Sequence, residues 1–335
     1  MKVLHAPIQI AGQLWEYADG LRKIGVESKA LTFSQHPFGY RDDICLNLQS
    51  IKDEYYFVGK MIKNFVEVVG IFDVFHFHFG ESLIAQNYDL LALKEMGKKM
   101  VMNFWGSDVR IKDLAKLRNP FYTDEVHLGN DAEKIHKLKL ISQYIDVAVV
   151  ADYELYEYVS PFFKRTEIVR QAVDLEELRA HYPNKKRPII VHAPSRMNVK
   201  GTTYIEEAIK SLVSKYDFQY IRITGFNHDE LVEKLCQADI VIDQMLIGSY
   251  GILAIEAMAL GKPVISYIRE DLIDKYPENL PIVVANRDNI AEVLKTLLED
   301  GNLRTELGHK SREYVEMYHD KIKIAKDLVR LYETI

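Results

Sequence analysis

The sequence predicts an α/β protein with two Rossmann-like domains, each a parallel sheet flanked by helices. Three observations carry this. The 335 residues exceed what one ordinary core takes and suit two domains of about 150 each. Short apolar runs rich in β-branched residues alternate with longer stretches of helical periodicity from end to end, the pattern of βαβ units. Near mid-chain a polar segment with a proline and a Lys-Lys-Arg run, residues 179–187, interrupts the alternation just before a new strand begins.

Taken in order, residues 2–6 read as a strand and 12–24 as the helix after it. Strands are predicted again at 74–79, 99–104 and 146–150, with helices at 84–96 and 132–141. The second half predicts strands at 188–193, 218–224, 240–243 and 263–268, separated by helices at 203–215, 228–237 and 251–260. Ile322, Ala325, Val329, Tyr332 and Ile335 then fall at helical spacing, behind an Asp320 suited to cap a helix. The expected domains are 1–180 together with the helix 320–335, a linker at 181–187, and 188–319. In open parallel sheets ligands sit beyond the carboxyl ends of the strands, so binding residues belong in strand-to-helix turns facing a cleft between the domains.

Composition narrows the function. With 48% hydrophobic and 27% charged residues the chain is of globular type. Lys plus Arg number 43 against 49 Asp plus Glu, a net charge of −6. Residues 1–180 hold 22 basic and 26 acidic groups, leaving 21 and 23 for the rest, so no nucleic-acid-binding domain is expected. Cys45 and Cys236 cannot build a disulfide framework, which favours a reducing compartment. The first twenty residues lack the pattern of a signal peptide, and no apolar run reaches the roughly 18 residues of a membrane span. The expected location is cytoplasmic, with membrane association at most peripheral, on the inner face.

The most informative segment is 238–268, ADIVIDQMLIGSYGILAIEAMALGKPVISYI. Glu256 stands in a helix otherwise apolar from Ile252 to Leu260, where a carboxylate is costly to bury without hydrogen-bond partners. Either the helix dipole and nearby Lys262 hold it, or it accepts from ligand hydroxyls such as those of a ribose. Gly251 permits close backbone approach, and a helix N-terminus offers free N–H groups to phosphate. A second segment, 192–205, HAPSRMNVKGTTYI, sets Arg196 and Lys200 between a strand and a helix, with Thr203 and Glu206 at the spacing of a capping box. The two cations form either a solvated basic loop or a pyrophosphate clamp.

In this order the segments resemble the nucleotide-sugar half of the GT-B glycosyltransferases, specifically the retaining family 4 enzymes. The matching residues are Arg196, Lys200-Gly201, Tyr250-Gly251 and Glu256-Ala-Met-Ala-Leu-Gly-Lys-Pro263-Val264. Gln171-Ala-Val-Asp174 resembles the family's turn before the linker, and the segment from Gly225 through Asn227 and His228 to Ala238-Asp239 its nucleotide-side loop and helix. The resemblance implies a GT-B fold whose C-terminal helix packs back on the N-terminal domain. It implies transfer of a hexosyl group from a UDP- or GDP-linked sugar, with retention and without a metal ion or other cofactor, in polysaccharide or glycoconjugate biosynthesis. Arg196 and Lys200 would neutralise the diphosphate leaving group and Glu256 would bind the ribose. Tyr250, Gly251, Ile252 and Asn227 would line the donor, and the acceptor would be a glycan, a lipid-linked group or a small molecule. A GT-B nucleotide-sugar epimerase and a non-catalytic nucleotide-sugar-binding scaffold are the alternatives.

Two departures from the family stand out in this half. Gly248 occupies the position of an acidic residue that contacts the donor sugar, with Asp243 or Gln244 as substitutes. Only one strand, 218–224, separates two helices where the family commonly has a further strand–helix pair.

The first half is less specific. Gly12 lies in the place of a glycine-rich turn, or in a tight strand–helix connection. His76 and His78 alternate onto one sheet face, but no cysteine or carboxylate cluster completes a ligand set, so no metal site is expected. His78 is acceptor-side or structural. Trp105 replaces a histidine of many relatives and either stacks on a sugar or packs in the core. Asp108 either serves an acceptor hydroxyl or caps a helix. Arg110, Lys112, Lys116 and Arg118 form a solvated face or attract a phosphorylated or membrane-borne acceptor. The aromatic loop 33–40, FSQHPFGY, lines the acceptor or simply packs.

Overall fold

The computed structural model describes all 335 residues, in two α/β units. The first comprises residues 1–111, 129–172 and 321–335, and the second residues 112–128 and 173–320.

The first unit holds seven strands: β1 Lys2–Ala6, β2 Glu27–Thr32, β3 Ile44–Cys45, β4 Val74–His78, β5 Lys99–Phe104, β6 Val147–Val150 and β7 Arg165–Ile168. All pair in parallel, in the order β3-β2-β1-β4-β5-β6-β7. Helices cover both faces of such a sheet, which is why β4 and β6 are buried at every residue. From β1 the chain steps outward to β2 and β3, then returns to place β4 on the other side of β1. That reversal is a topological switch point, and His5 of β1 is the register partner of His76 of β4 across it.

Two elements differ from the sequence expectation. The predicted helix 84–96 is a short 3-10 turn at Ala85–Asn87 followed by a helix over Leu90–Glu95. Polar side chains intercept the backbone there: Asn87 Oδ1 accepts from Ser82 N at 2.7 Å, and Asp89 Oδ2 accepts from Leu83 N at 3.0 Å. The C-terminal helix, Lys321–Glu333, buries Ile324, Ala325, Leu328, Leu331 and Tyr332, a stripe slightly rotated from the predicted one. It packs on the helix Gln13–Lys23 of the same unit, and Gly20 makes the close approach possible. A Cβ there would lie 2.7 Å from the Lys321 carbonyl oxygen.

The second unit holds β8 Ile189–His192, β9 Gln219–Arg222, β10 Ile240–Ile242, β11 Val264–Ser266 and β12 Val283–Val284, parallel in the order β12-β11-β10-β8-β9. Its switch point lies between β8 and β10. The helix Ile252–Ala259 buries every residue after its first, and the helix Gly301–Tyr318 packs against it.

The boundary does not fall in the segment 181–187. His181 N bonds to Leu260 O at 2.8 Å, Tyr182 stacks on His309, and the Asp239 carboxylate receives the N–H groups of Asn184 and Lys185. These bonds make the segment part of the second unit. The chain passes from one unit to the other at residues 111–112, 128–129, 172–173 and 320–321, and Val173 N donates to His319 O at 2.9 Å beside the last two of these points. The Thr203–Glu206 capping box is also absent. Gly201, at φ 75°, joins the helices Met197–Lys200 and Thr202–Leu212, and Glu206 instead pairs with Arg222 at 2.7 Å.

Candidate functional site

At the β8/β10 switch point the second unit assembles charged groups from three strand-to-helix turns. Lys200 ends the short helix after β8, and its Nζ lies 2.8 Å from Asp243 Oδ1 and 3.2 Å from Gln244 Oε1. Asp243 is fully buried just past β10, and its Oδ2 accepts from Gly251 N at 2.8 Å. One carboxylate therefore fixes both the cation and the start of the helix Ile252–Ala259. Gly251's own N–H is spent on Asp243, so the first-turn N–H groups of Ile252 and Leu253 are those the helix end can offer a ligand. A Cβ on Gly251 would stand 3.3 Å from Lys200 Nζ, so the bare glycine keeps that approach open. Arg196, also between β8 and its helix, is exposed and forms no ion pair.

Glu256 is 5% exposed and is not paired with Lys262. The Lys262 ammonium goes instead to the carbonyls of Cys236 and His181, and burial lowers its pKa to about 8. The partner of Glu256 is His228, whose Nε2 lies 2.7 Å from Glu256 Oε1. Asn227, one residue earlier, spends its side chain on a complete capping box with Glu230. Tyr250 turns its ring into the core, with its hydroxyl 3.1 Å from His319 Nε2 and 3.5 Å from the Tyr314 hydroxyl. Its backbone is what it can present to a ligand. Behind the site, His192 bridges the switch point: Nδ1–H donates to Ile242 O at 2.9 Å, and Nε2 accepts from the Thr202 hydroxyl at 2.9 Å. Burial holds its pKa near 4, so it stays neutral.

Gly248 adopts φ 91°, the left-handed region, and a Cβ there would lie 2.6 Å from Arg269 Cγ. The stem of this buried arginine fills the space that an acidic side chain would need. The Arg269 head forms a two-point pair with Asp271, Nε to Oδ1 at 3.0 Å and Nη2 to Oδ2 at 2.7 Å. Asn119 closes the same loop, its Nδ2 donating to the carbonyls of Leu246 and Ile247 at 2.8 and 3.0 Å.

In the first unit, Gly12, His78, Trp105 and Asp108 all lie at or beyond the carboxyl ends of β1, β4 and β5. Gly12, at φ 78°, caps the helix Gln13–Lys23 and lies against the Tyr40 ring of the aromatic loop. That loop stacks largely on itself, with the His36 and Tyr40 rings 4.9 Å apart. Asp108 caps its own turn, accepting from Gly106 N at 2.7 Å and Trp105 N at 3.1 Å. Burial raises its pKa to about 6 against those hydrogen bonds.

His5, His76 and His78 are fully buried, with ring nitrogens within 4.8 Å of one another. Burial, then the neighbouring imidazoles, holds His5 and His78 well below the ordinary histidine value, and burial lowers His76 to about 3. The tautomers follow from Trp105, whose indole N–H only donates. It reaches His78 Nδ1 at 3.3 Å, so the His78 proton sits on Nε2 and is given to His5 Nδ1 at 3.2 Å. His5 then carries its proton on Nε2, which has no partner. The His76 and His78 rings are stacked 4.7 Å apart at 14°. His5 and His78 are thus hydrogen-bonded to each other, while His76 meets both through ring contacts. His76 Nδ1 bonds separately to the Tyr332 hydroxyl at 2.6 Å.

Three of the four cations of the basic run are paired. Arg110 makes a two-point pair with the buried Glu154, at 2.8 Å for both Nε–Oε1 and Nη2–Oε2. Lys112 and Lys116 share Asp124. Asp243, His228, His192 and His5 escaped sequence reasoning as partners, because nothing local marks a carboxylate or imidazole that topology brings to a residue far away in the chain.

Residues 206–314 match the family model described as glycosyl transferases group 1. No curated protein is significantly similar to the chain. Among solved structures, a sucrose-phosphate synthase from Thermosynechococcus elongatus superposes with a TM-score of 0.67 at 15% identity, covering 100% of this chain and 99% of that one. A glycosyltransferase from Rickettsia africae ESF-5 gives 0.67 at 14% identity, covering 99% and 97%. Anabaena HepE, solved in complex with UDP-glucose, gives 0.67 at 10% identity, covering 100% of both chains. The chain has the GT-B fold, and the match to the glycosyl transferases group 1 model spans most of its second unit.

Proposed function

We propose that the protein is a retaining glycosyltransferase that moves a hexosyl group from a nucleoside diphosphate sugar to a glycan, lipid-linked or small-molecule acceptor. The observation that carries this reading is the grouping of Lys200, Arg196, the start of the helix Ile252–Ala259 and Glu256 around one switch point, the last two within the matched family segment. Breaking the glycosidic bond leaves negative charge on the departing diphosphate, and positive charge held in place at that oxygen lowers the barrier. Lys200, fixed by Asp243, and the unpaired Arg196 supply it, together with the N–H groups of Ile252 and Leu253. These residues do the work of a divalent cation, so the reaction is expected to proceed without metal or cofactor. Glu256 accepts from the ribose. In the first unit, Trp105 and the Gly12 turn with Tyr40 offer apolar and aromatic surface for the acceptor. The resemblance and the absence of a membrane-crossing helix are consistent with a cytoplasmic enzyme, at most peripheral on a membrane.

A panel of UDP-, GDP- and ADP-sugars tests the reading by thermal shift. At least one is expected to raise the melting temperature and to yield a product with the donor's anomeric configuration, in the presence of EDTA. No stabilisation by any of them defeats it. The packing of Arg269 into the space beside Gly248 favours one second reading, a binding scaffold. Donor binding with neither transfer nor slow hydrolysis would establish it.

A further inference from the structure

We propose that His228 sets ribose specificity in the second unit. It clamps one oxygen of Glu256, so that the other is a fixed acceptor for the 2′-hydroxyl of a nucleoside diphosphate. This rests on the donor reading above. His228 is the first residue of the helix His228–Gln237, and the capping box holds that residue rigidly: Asn227 Oδ1 accepts from Glu230 N at 2.9 Å, and Glu230 Oε2 from Asn227 N at 3.0 Å. With its helix so placed, the imidazole Nε2–H donates to Glu256 Oε1 at 2.7 Å. The carboxylate sits in a buried helix and is 7% exposed, while the imidazole is 28% exposed and within a ligand's reach.

A carboxylate with both oxygens free can turn to suit many partners. With Oε1 committed, Oε2 has one direction and wants one donor. A ribose hydroxyl satisfies it, and a deoxyribose leaves a nearly buried charged acceptor unpaired, the arrangement that gives strong discrimination against the analogue lacking the hydroxyl. The recognition expected of Asn227 thus passes to its neighbour, since the Asn227 side chain is consumed by the cap.

The test is equilibrium binding of UDP, GDP, ADP and their 2′-deoxy counterparts to the full chain, in the native sequence and in His228→Ala and His228→Gln. The native protein is expected to prefer the ribonucleotide by about tenfold or more, the scale of a hydrogen bond to a charged group. His228→Ala should bring the ratio near one, with a lowered melting temperature and the circular dichroism of the folded chain retained. His228→Gln should restore it, because a glutamine amide N–H reaches the same oxygen. An unchanged ratio in His228→Ala overturns the inference and leaves the donor reading standing. Absence of binding to every ribonucleotide overturns both. Should His228→Ala fail to fold, His228→Gln decides alone: a folded protein that has lost the preference overturns the rescue and the proposal with it.

Discussion

The two switch points of this molecule use the same backbone geometry for opposite electrostatics. Between β8 and β10 charged groups are held by partners, Lys200 on Asp243 and Glu256 on His228, with Arg196 unpaired at the edge. Between β1 and β4 they are neutral imidazoles, kept uncharged by burial, with Trp105 bonded to His78, His78 to His5, and His76 to Tyr332. A site meant for an anionic diphosphate needs positive charge ready before the ligand arrives, and a buried lysine keeps its charge only beside a counter-charge. The first unit has no such demand at its switch point, and desolvation there removes charge altogether. The difference between them is what supports placing the donor of the proposed reaction in the second unit.

The largest effect expected comes from breaking the charged side of this comparison. Lys200→Ala leaves Asp243 buried without its cation and should cost about 3–5 kcal/mol in urea denaturation. Arg196→Ala removes an exposed, unpaired charge and should change stability by no more than about 0.5 kcal/mol. Both should weaken nucleoside diphosphate binding in calorimetry. Lys200→Met with Asp243→Asn should recover most of the stability and none of the affinity. Equal destabilisation by Arg196→Ala and Lys200→Ala would erase the distinction between a held charge and a free one.

Gly248 probes the sugar end of the same unit. Glutamate there meets a left-handed backbone, which costs about 1–2 kcal/mol, and the Arg269 stem, an overpacking of about 1–3 kcal/mol. Gly248→Glu should therefore destabilise the chain without raising turnover, and Gly248→Glu with Arg269→Ala should recover part of the loss. A stable and more active single variant would mean that the loop opens to admit the acid and that the Arg269 stem does not exclude it.

How much of this was legible in the sequence follows from the range of each interaction. Parallel strands buried on both faces appear as apolar runs, so β4, β5, β6, β8 and β10 could be read directly. Arg196, Lys200 and Glu256 stand in contiguous segments whose order carries the family pattern. The helix 84–96 could not be read correctly, because its periodicity is apolar while Asn87 and Asp89 divert the backbone. Nor could the placement of 112–128 with the second unit, which depends on Asn119 meeting carbonyls more than a hundred residues away. The same holds for the partners of the site: Asp243 is a plain residue after a strand until Lys200 arrives from the turn of another.

A pH titration sharpens the contrast from the neutral side, with a smaller net effect because the shifts oppose. His5, His76, His78 and His192 have folded values depressed by burial. The stability they contribute is complete above the unfolded histidine value near 6.5 and is lost as pH falls below it, at roughly 1.4 kcal/mol per pH unit for each. Asp108 and Asp152, raised to about 6 by burial, work the other way: the folded chain takes up their protons first, which offsets part of the loss between about pH 6 and 4. Melting temperature should drop from pH 7 to pH 5, and His78→Gln should flatten that drop. A melting temperature that rises over the interval would mean that the carboxyls outweigh the imidazoles and that the buried histidines are not held neutral.

The smallest effect concerns Tyr250, which adjoins the charged site in sequence while its side chain belongs to the core. Its hydroxyl lies 3.1 Å from His319 Nε2, inside a cluster with Tyr276 and Tyr314. Tyr250→Phe keeps the ring and its packing and removes one hydrogen bond, so a loss of about 1 kcal/mol is expected in denaturation. Nucleoside diphosphate affinity should not move, because the backbone of Tyr250 and the Asp243–Gly251 bond are untouched. If affinity instead fell tenfold with the fold intact, the hydroxyl would have to face the ligand. The line between core and site would then run on the far side of Tyr250, and the charged switch point would have to borrow a neutral group from the core.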